Sequence, residues 1–569
     1  MKQTAALLFL CFFTVSLSAG ERINKSLKKA QKATCTIMTY DSEGTLLHTS
    51  QGFFVGEEGD VITSYDSFLH ATTAMTVDAA GISRPIQMVV GANELYNVLR
   101  ATVETDKKLR SLSVDSIAID EGTHLYLSPV PTAKKETGTW LTVSKVEKMN
   151  EQYSYYTLTG PAMLADLAGR PLLTEDGQVV AVMQPSVEGD SIFYALDTRY
   201  VTKLEIKALT LNEPSYRNLD FVKALPKELD QAQVYLFMAE SQEDKDKYAK
   251  TVEMFIHQFP DTPDGYLQRA ALRIAQGGED NYALAEADHA KAMELAENKD
   301  DIHYQIGRQI ASAVKEDSTF HYKNWSLDYA AQKMSEAIQI NPLPAYYQML
   351  GDIRFTQGNC PAALEAYLAI CHLKEATADN YYNAAITCEQ MADSIDHAVA
   401  LMDTAVLMAS GVNKEEEIHY QSAPYVYERA LMKARNGKNR SAVNDLNLFE
   451  KLNGTSMNDQ FYYMREQVEA ASRMFQQALD DIDMAISIKA LPIYVLEKAS
   501  LNIRVGRNDE AIPLLEALVA AYPEDPDCNR MLGYCLAIRN DITHARIFLQ
   551  KAVDLGDPNA ASLLEKYAN

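Results

Sequence analysis

The sequence predicts a multidomain chain, with an all-β double barrel over residues 21–208 and an all-α solenoid over residues 228–569. Three observations predict it. Short runs rich in β-branched and aromatic residues, separated by Gly-containing turns, fill the first third. Beyond about residue 228 the apolar residues recur at helical spacing. Proline and turn punctuation there returns at intervals of about 34 residues, the mark of a repeat array.

The strand-like runs are "TCTIMTY", "DVITSY", "TWLTVSKV", "YYTLTG", "QVVAVMQP" and "SIFYALD". Turn signals such as "DSEG", "GEEGD" and "TEDG" lie between them. Many short strands of this kind favour a barrel or sandwich, and the length suits two barrels. Residues 209–227 read as a linker, since the pattern changes after "LTLNEPSYRNLD".

In the helical part, Pro492 and Pro526 are 34 positions apart. Counting from Pro526, Leu532-Gly533 fill positions 7–8, Ala545 fills 20 and Leu549 fills 24. Counting from Pro492, Ala499 fills 8, Ala511 fills 20 and Leu515 fills 24; from Pro344, Leu350-Gly351, Ala363 and Tyr367 do the same. Weaker copies begin near Asp230, Pro263, Asp379, Ala423 and Asp459, and an irregular unit covers 302–343. Small residues at 8 and 20 let two helices approach closely, and bulky residues at 4 and 24 fill the groove left between them. Each pair then exposes an apolar face that only the next pair covers. This spacing resembles tetratricopeptide repeats, about eight or nine of them, and implies a surface for protein partners. The tail "AASLLEKYAN" is expected to cap the array. Tyrosine pairs in "AYYQ", "NYYN" and "FYYM" are expected mostly as packing, with the remainder lining a concave peptide-binding face.

Two stretches of the β region carry a second resemblance. "SQGFFVGEEGDVITSYDSF" and, about 100 residues on, "ADLAGRPLLTEDGQVVAV" are similar to the strand-turn-strand and nucleophile loop of HtrA-like, trypsin-fold serine proteases. The family's G-N-S-G-G-P-L becomes Asp166-Leu167-Ala168-Gly169-Arg170-Pro171-Leu172. Gly169, Pro171 and Leu172 agree. Ala168 takes the serine position, Asp66 the histidine position, and Asp106 corresponds most nearly to the triad aspartate.

Acyl transfer needs a nucleophile, a base and an oxyanion hole. Ala168 has no nucleophilic atom. An aspartate's ordinary pKa, about 3.9, suits base work on a serine poorly. Asp166 replaces a glycine of the oxyanion loop and brings a negative charge. The resemblance therefore implies a degenerate triad and a non-catalytic binding or scaffold protein, with the barrel cleft open to an extended peptide by strand addition. The alternative is a divergent serine-type peptidase that recruits substrate through its repeats. His70, four residues past Asp66, and Ser191 in "EGDSIFYAL" are weighed as replacements and read as ordinary polar residues.

Charge narrows the partners. Residues 21–209 carry 18 Lys+Arg and 24 Asp+Glu, net −6; residues 210–569 carry 34 and 54, net −20; with Lys2 the chain totals −25. Such a surface argues against nucleic acid, which needs clustered cations. Residues 1–20, with Lys2, an apolar run and "SLSAG", read as a signal peptide, which implies export to the periplasm or, alternatively, the extracellular space. No further apolar stretch is long enough to predict a membrane span in the mature chain. Six cysteines follow: Cys35, Cys360, Cys371, Cys388, Cys528 and Cys535. None has zinc spacing, and they read as small buried side chains rather than bridges. No phosphate-loop, dinucleotide or H-E-x-x-H motif occurs, so no cofactor or metal is expected. "KEEEIHYQ" (414–421) reads as a solvated connector.

Overall fold

The computed structural model describes residues 23–567, apart from 57–58, 106–108, 116–118, 131–137, 150, 164–165, 318 and 455–456. After a short helix α1 (Lys25–Ala30), strands β1 (Thr34–Tyr40), β2 (Leu46–Val55), β3 (Asp60–Thr63), β4 (Thr73–Asp78), β5 (Ser83–Asn93) and β6 (Val98–Val103) follow. They close into one antiparallel barrel in the order β1-β2-β3-β6-β5-β4. The second barrel holds β7 (His124–Leu127), β8 (Thr139–Met149), β9 (Tyr153–Thr159), β10 (Pro171–Leu173), β11 (Val179–Met183) and β12 (Ile192–Asp197). Its order, β7-β8-β9-β12-β11-β10, repeats that of the first. Alternation builds these strands: along β9, Ser154, Tyr156 and Leu158 are buried while Tyr153, Tyr155 and Thr157 are only partly covered. Closure pairs both edge strands of each barrel, so neither sheet is left with a free edge.

Helices α2 (Thr198–Val201) and α3 (Pro214–Arg217) lie in the stretch that leaves the barrels. The connection at 209–227 hugs the first barrel. Val89 N–H donates to Val222 O at 2.8 Å, Ala224 N–H donates to Val89 O at 2.8 Å, and Ala92 N–H donates to the Tyr216 hydroxyl at 2.8 Å. Phe221 packs edge-on to Phe68, centroids 5.2 Å apart. The same apolar core takes in Tyr235, Tyr248 and Phe255 from the next helices.

From there the chain is helical. The pairs are α4/α5 (Leu229–Gln242, Lys245–Gln258), α6/α7 (Pro263–Gln276, Glu279–Leu295), α8/α9 (Lys299–Glu316, Leu327–Ile340), α10/α11 (Pro344–Thr356, Cys360–Cys371) and α12/α13 (Ala378–Glu389, Ile395–Ser410). They continue as α14/α15 (Ala423–Arg435, Asn439–Asn453), α16/α17 (Asp459–Ala471, Phe475–Ile488), α18/α19 (Pro492–Arg504, Asn508–Ala521) and α20/α21 (Pro526–Ile538, Ile542–Asp554), with α22 (Ala560–Tyr567) packed on the last pair. The chain divides into two compact units, residues 1–295 and 296–569. Prolines 263, 344, 492 and 526 each open a helix, where the missing N–H costs nothing and the fixed φ is already helical.

The predicted small-against-large packing is present. A Cβ on Gly533 would lie 2.7 Å from Leu549 Cγ and 3.0 Å from Leu549 N, so only glycine lets α20 and α21 meet this closely. Three pairs use a different device, an arginine at position 7 of the first helix. Arg429 Nε and Nη2 donate to Asp445 at 3.0 and 2.7 Å, and its Nη1 reaches back to Asp403 of the preceding pair at 2.7 Å. Arg465 grips Asp481 at 2.5 and 2.8 Å and reaches back to Glu450 at 2.6 Å. Arg269 does the same with Asp288 and Glu253, at 2.8 and 3.0 Å. One fork thus fastens three helices.

By length and composition, Ile395–Glu417 could cross a membrane. Its α-helix ends at Ser410, and Leu401, Met402, Ala405 and Val406 are buried in the helical core. The six described cysteines are free thiols, and all except Cys360 are buried. Burial pushes the Cys371 thiol up to about 11 and that of Cys535 up to about 12.

Candidate functional site

The positions singled out by motif lie on two loops. The first follows β3. Tyr65 is fully buried and anchors a single 3-10 turn, Asp66–Phe68, which leaves Asp66 exposed. Asn97, in the turn between β5 and β6, clamps it twice. Asp66 N–H donates to Asn97 Oδ1 and Asn97 Nδ2 donates to Asp66 Oδ2, both at 2.9 Å. Asp106 lies outside the described residues.

The second loop, 166–170, leads into β10. Gly169 has φ +79°, and a Cβ there would lie 2.4 Å from Gln51 O and 3.1 Å from Ser64 N. Only glycine fits both the conformation and the space. The same contact sets this loop of the second barrel against β2 and against the residue just before Tyr65 in the first. The Asp66 turn and the Ala168 loop are therefore neighbours, as the motif spacing requires.

At the position that the motif gives to the nucleophile, the loop presents no nucleophilic side chain. Ala168 is 7% exposed and offers only a methyl group. Asp166 Oδ1 accepts from Ala168 N–H at 3.2 Å and from Ser186 N–H at 3.2 Å. The first bond is an Asx turn, the local habit of an aspartate two residues ahead of an amide. In acyl transfer by this kind of loop, the backbone N–H of the nucleophile position helps bind the oxyanion. Here that N–H faces a carboxylate, which opposes negative charge at the same place. Leu167 N–H donates to Ser186 Oγ at 3.2 Å, so the loop is stitched to the segment after β11.

In the motif Arg170 stands where the family pattern has a glycine. Its side chain is buried, and Nε donates to Ser128 O at 3.1 Å while Nη2 donates to the same oxygen. It is a strut between the loop and the end of β7, a role that no local pattern announces. His70 is exposed with φ +60°, and Ser191 is exposed beside the start of β12. Two surface pockets of this unit lie elsewhere, along the crossing segment 109–112. Among the described residues, no group of three or more His, Cys, Asp or Glu is arranged to hold a metal ion.

Comparison with known proteins bears on the fold. Residues 496–560 match a tetratricopeptide repeat family model. No curated protein matches. Among solved structures, the HtrA-type protease AlgW with a tripeptide is similar at 17% identity and a TM-score of 0.27, over 31% of this chain and 60% of that one. The match thus spans less than two thirds of that protease. Strand order and closure define the N-terminal third as two closed six-stranded antiparallel barrels, helix pairing defines the region that follows, and the tetratricopeptide match covers residues 496–560 of it.

Proposed function

We propose that the protein is an exported, non-catalytic scaffold, in which the double barrel has lost acyl-transfer chemistry and the helix pairs bind protein partners. The observation that carries it is the Asp166 carboxylate on the Ala168 amide, at a nucleophile position that holds only a methyl group. Loss of the serine alone would leave a hole able to stabilise an oxyanion. A filled hole means that two separate requirements of the mechanism are missing together. Tetratricopeptide pairs act by presenting surface to other proteins, and here that surface is strongly acidic. The leader-like residues 1–20 support export, and the periplasm is the proposed compartment.

The test is affinity capture of the full mature chain from a cell-envelope extract, with a peptidase assay on the same preparation. A specific retained partner and no peptide cleavage are expected. The double substitution Asp66→His with Ala168→Ser is expected to stay inactive, because Asp166 still holds the amide. Cleavage by highly purified wild-type protein, abolished by changing one cleft residue, would overturn the reading in favour of a divergent peptidase.

A further inference from the structure

In the second compact unit, a pocket of about 640 Å³ opens between α12, α14 and α15. That volume is in the range of sites that hold a ligand or a few peptide residues. Tyr382, Tyr425, Tyr427 and Phe449 line it, and Asp379 and Glu428 supply its charge. The rings are set against one another. Tyr382 and Tyr425 meet edge to face at 6.1 Å, and Tyr427 lies tilted on Phe449 at 4.8 Å. The Tyr425 hydroxyl donates to Asp379 Oδ1 at 2.6 Å, which fixes both groups. Tyr420, 70% exposed, also lines the pocket.

No lysine or arginine is among the lining residues. The nearby cation is Arg435, whose charge is felt at Tyr382 and Glu428. Its guanidinium is committed to Glu389, with Nε and Nη2 at 3.2 and 2.8 Å from the carboxylate oxygens. A neighbouring polar pocket does contain Arg429 and Lys433, but Asp403, Glu415 and Asp445 already hold these cations. Nothing here invites an anionic peptide. Aromatic faces attract cations through their quadrupoles, and carboxylates at the same mouth add direct attraction. The net −20 carried by residues 210–569 draws basic segments toward this surface over longer range.

We propose that this pocket receives a basic side chain, arginine above all, from an extended segment of the protein partner. Arginine fits better than lysine because its planar guanidinium stacks on rings while its fork reaches a carboxylate. The proposal rests on the scaffold reading and names the chemistry of the partner at one place on it.

The experiment uses the full chain and four fluorescein-labelled peptides, Gly-Ser-Arg-Arg-Ser-Gly and its Lys-Lys, Gln-Gln and Glu-Glu counterparts, titrated by anisotropy at low and at physiological salt. The arginine peptide is expected to bind, the lysine peptide more weakly, and the other two not at all. Glu428→Gln is expected to weaken arginine binding about tenfold and flatten its salt dependence, and Tyr382→Ala about tenfold at either salt. Melting curves of both variants confirm that the fold is kept, and Glu428→Gln, a change of charge with little change of shape, carries the test if Tyr382→Ala unfolds. Equal binding of the Gln-Gln peptide, no binding of the Arg-Arg peptide, or arginine binding unmoved by Glu428→Gln overturns the pocket. None of these results touches partner capture or the absence of cleavage, so the scaffold reading stands or falls separately.

Discussion

Helix pairs α14–α17 and α18–α21 share one architecture and an apolar joint, and α14–α17 adds buried charge to it. In α18–α21 the joints are apolar: Ala499, Ala511, Leu515, Leu532, Ala545, Leu549 and Ala552 are all fully buried. In α14–α17, beside the fully buried Ala430, Ala442, Ala478 and Ala485, the charged residues Arg429, Asp445, Arg465, Glu466, Glu469 and Asp481 are buried as well. The first kind needs only close fit. The second must repay the desolvation of its arginines, and it does so by saturating each guanidinium with carboxylates from two other helices, while the buried Glu466 stands outside these forks. The stretch that matches the repeat model, 496–560, falls within the pairs without buried arginine forks.

The sharpest way to break the charged joints is Arg465→Ala. It leaves Asp481 buried beside Glu469 with no cation, and the expected loss is about 3–5 kcal/mol. The loss should be local, seen by hydrogen exchange as opening of α16 and α17 before α20 and α21, because each repeat depends on its neighbours rather than on the whole. Uniform loss across all the pairs would show that the joint is not the local fastener described here.

A smaller effect separates the two regions by pH. Burial, with the charge of Glu497 beside it, pushes Glu466 up to about 8, although Arg504 acts in the other direction. Burial and Asp481 push Glu469 up to about 8, against the pull of Arg465. Both Glu466 oxygens lack hydrogen-bond partners. Folding therefore favours the protonated forms. Their contribution is most favourable below the ordinary glutamate pKa, falls as pH rises, and levels off above about 8. Between pH 5 and pH 8.5, α16–α17 should lose stability, while α20–α21 should not follow. Glu466→Gln should flatten the slope. A slope unchanged in that variant would assign the pH dependence to other groups.

These contrasts also mark what sequence could convey. The runs "TCTIMTY", "QVVAVMQP" and "SIFYALD" became β1, β11 and β12 because alternation and β-branching act locally. Repeat starts at Pro263, Pro344, Pro492 and Pro526 became helix starts for an equally local reason. In the sequence the loop at 166–170 resembles a nucleophile loop, with Ala168 where that pattern has serine. The partner of the Asp166 carboxylate was not legible there, since it depends on whether the side chain folds back on the loop or turns away. Arg170 and Arg465 were opaque for another reason. Their meaning lies in carboxylates or carbonyls many residues away, and a charged residue in a helical pattern is read by default as solvated. The aromatic pocket is assembled from three helices, so "NYYN" alone could be read only as packing or as surface.

On the apolar side, Gly533→Val tests fit alone. The added carbons meet Leu549 backbone as well as side chain, so α20 must shift on α21. About 1–3 kcal/mol is expected from overpacking, read as a lower melting temperature that does not change between pH 5 and pH 8.5. A pH-dependent loss would mean that the apolar and charged joints are coupled.

The smallest expected effect sharpens the comparison most. Replacing Arg465 and Asp481 together, Arg465→Met with Asp481→Leu, turns a charged joint into an apolar one of similar bulk. Glu450 loses its arginine but is one-third exposed and can return to water. Buried ion pairs exchanged for well-packed apolar residues are often neutral or stabilising, so the double variant should lie within about 1 kcal/mol of wild type despite the large loss from Arg465→Ala. That result would show that the charge is not needed for stability. If the double variant instead falls as far as the single one, the fork between three helices sets a geometry that methionine and leucine cannot reproduce, and α14–α17 differs from α18–α21 in architecture as well as in chemistry.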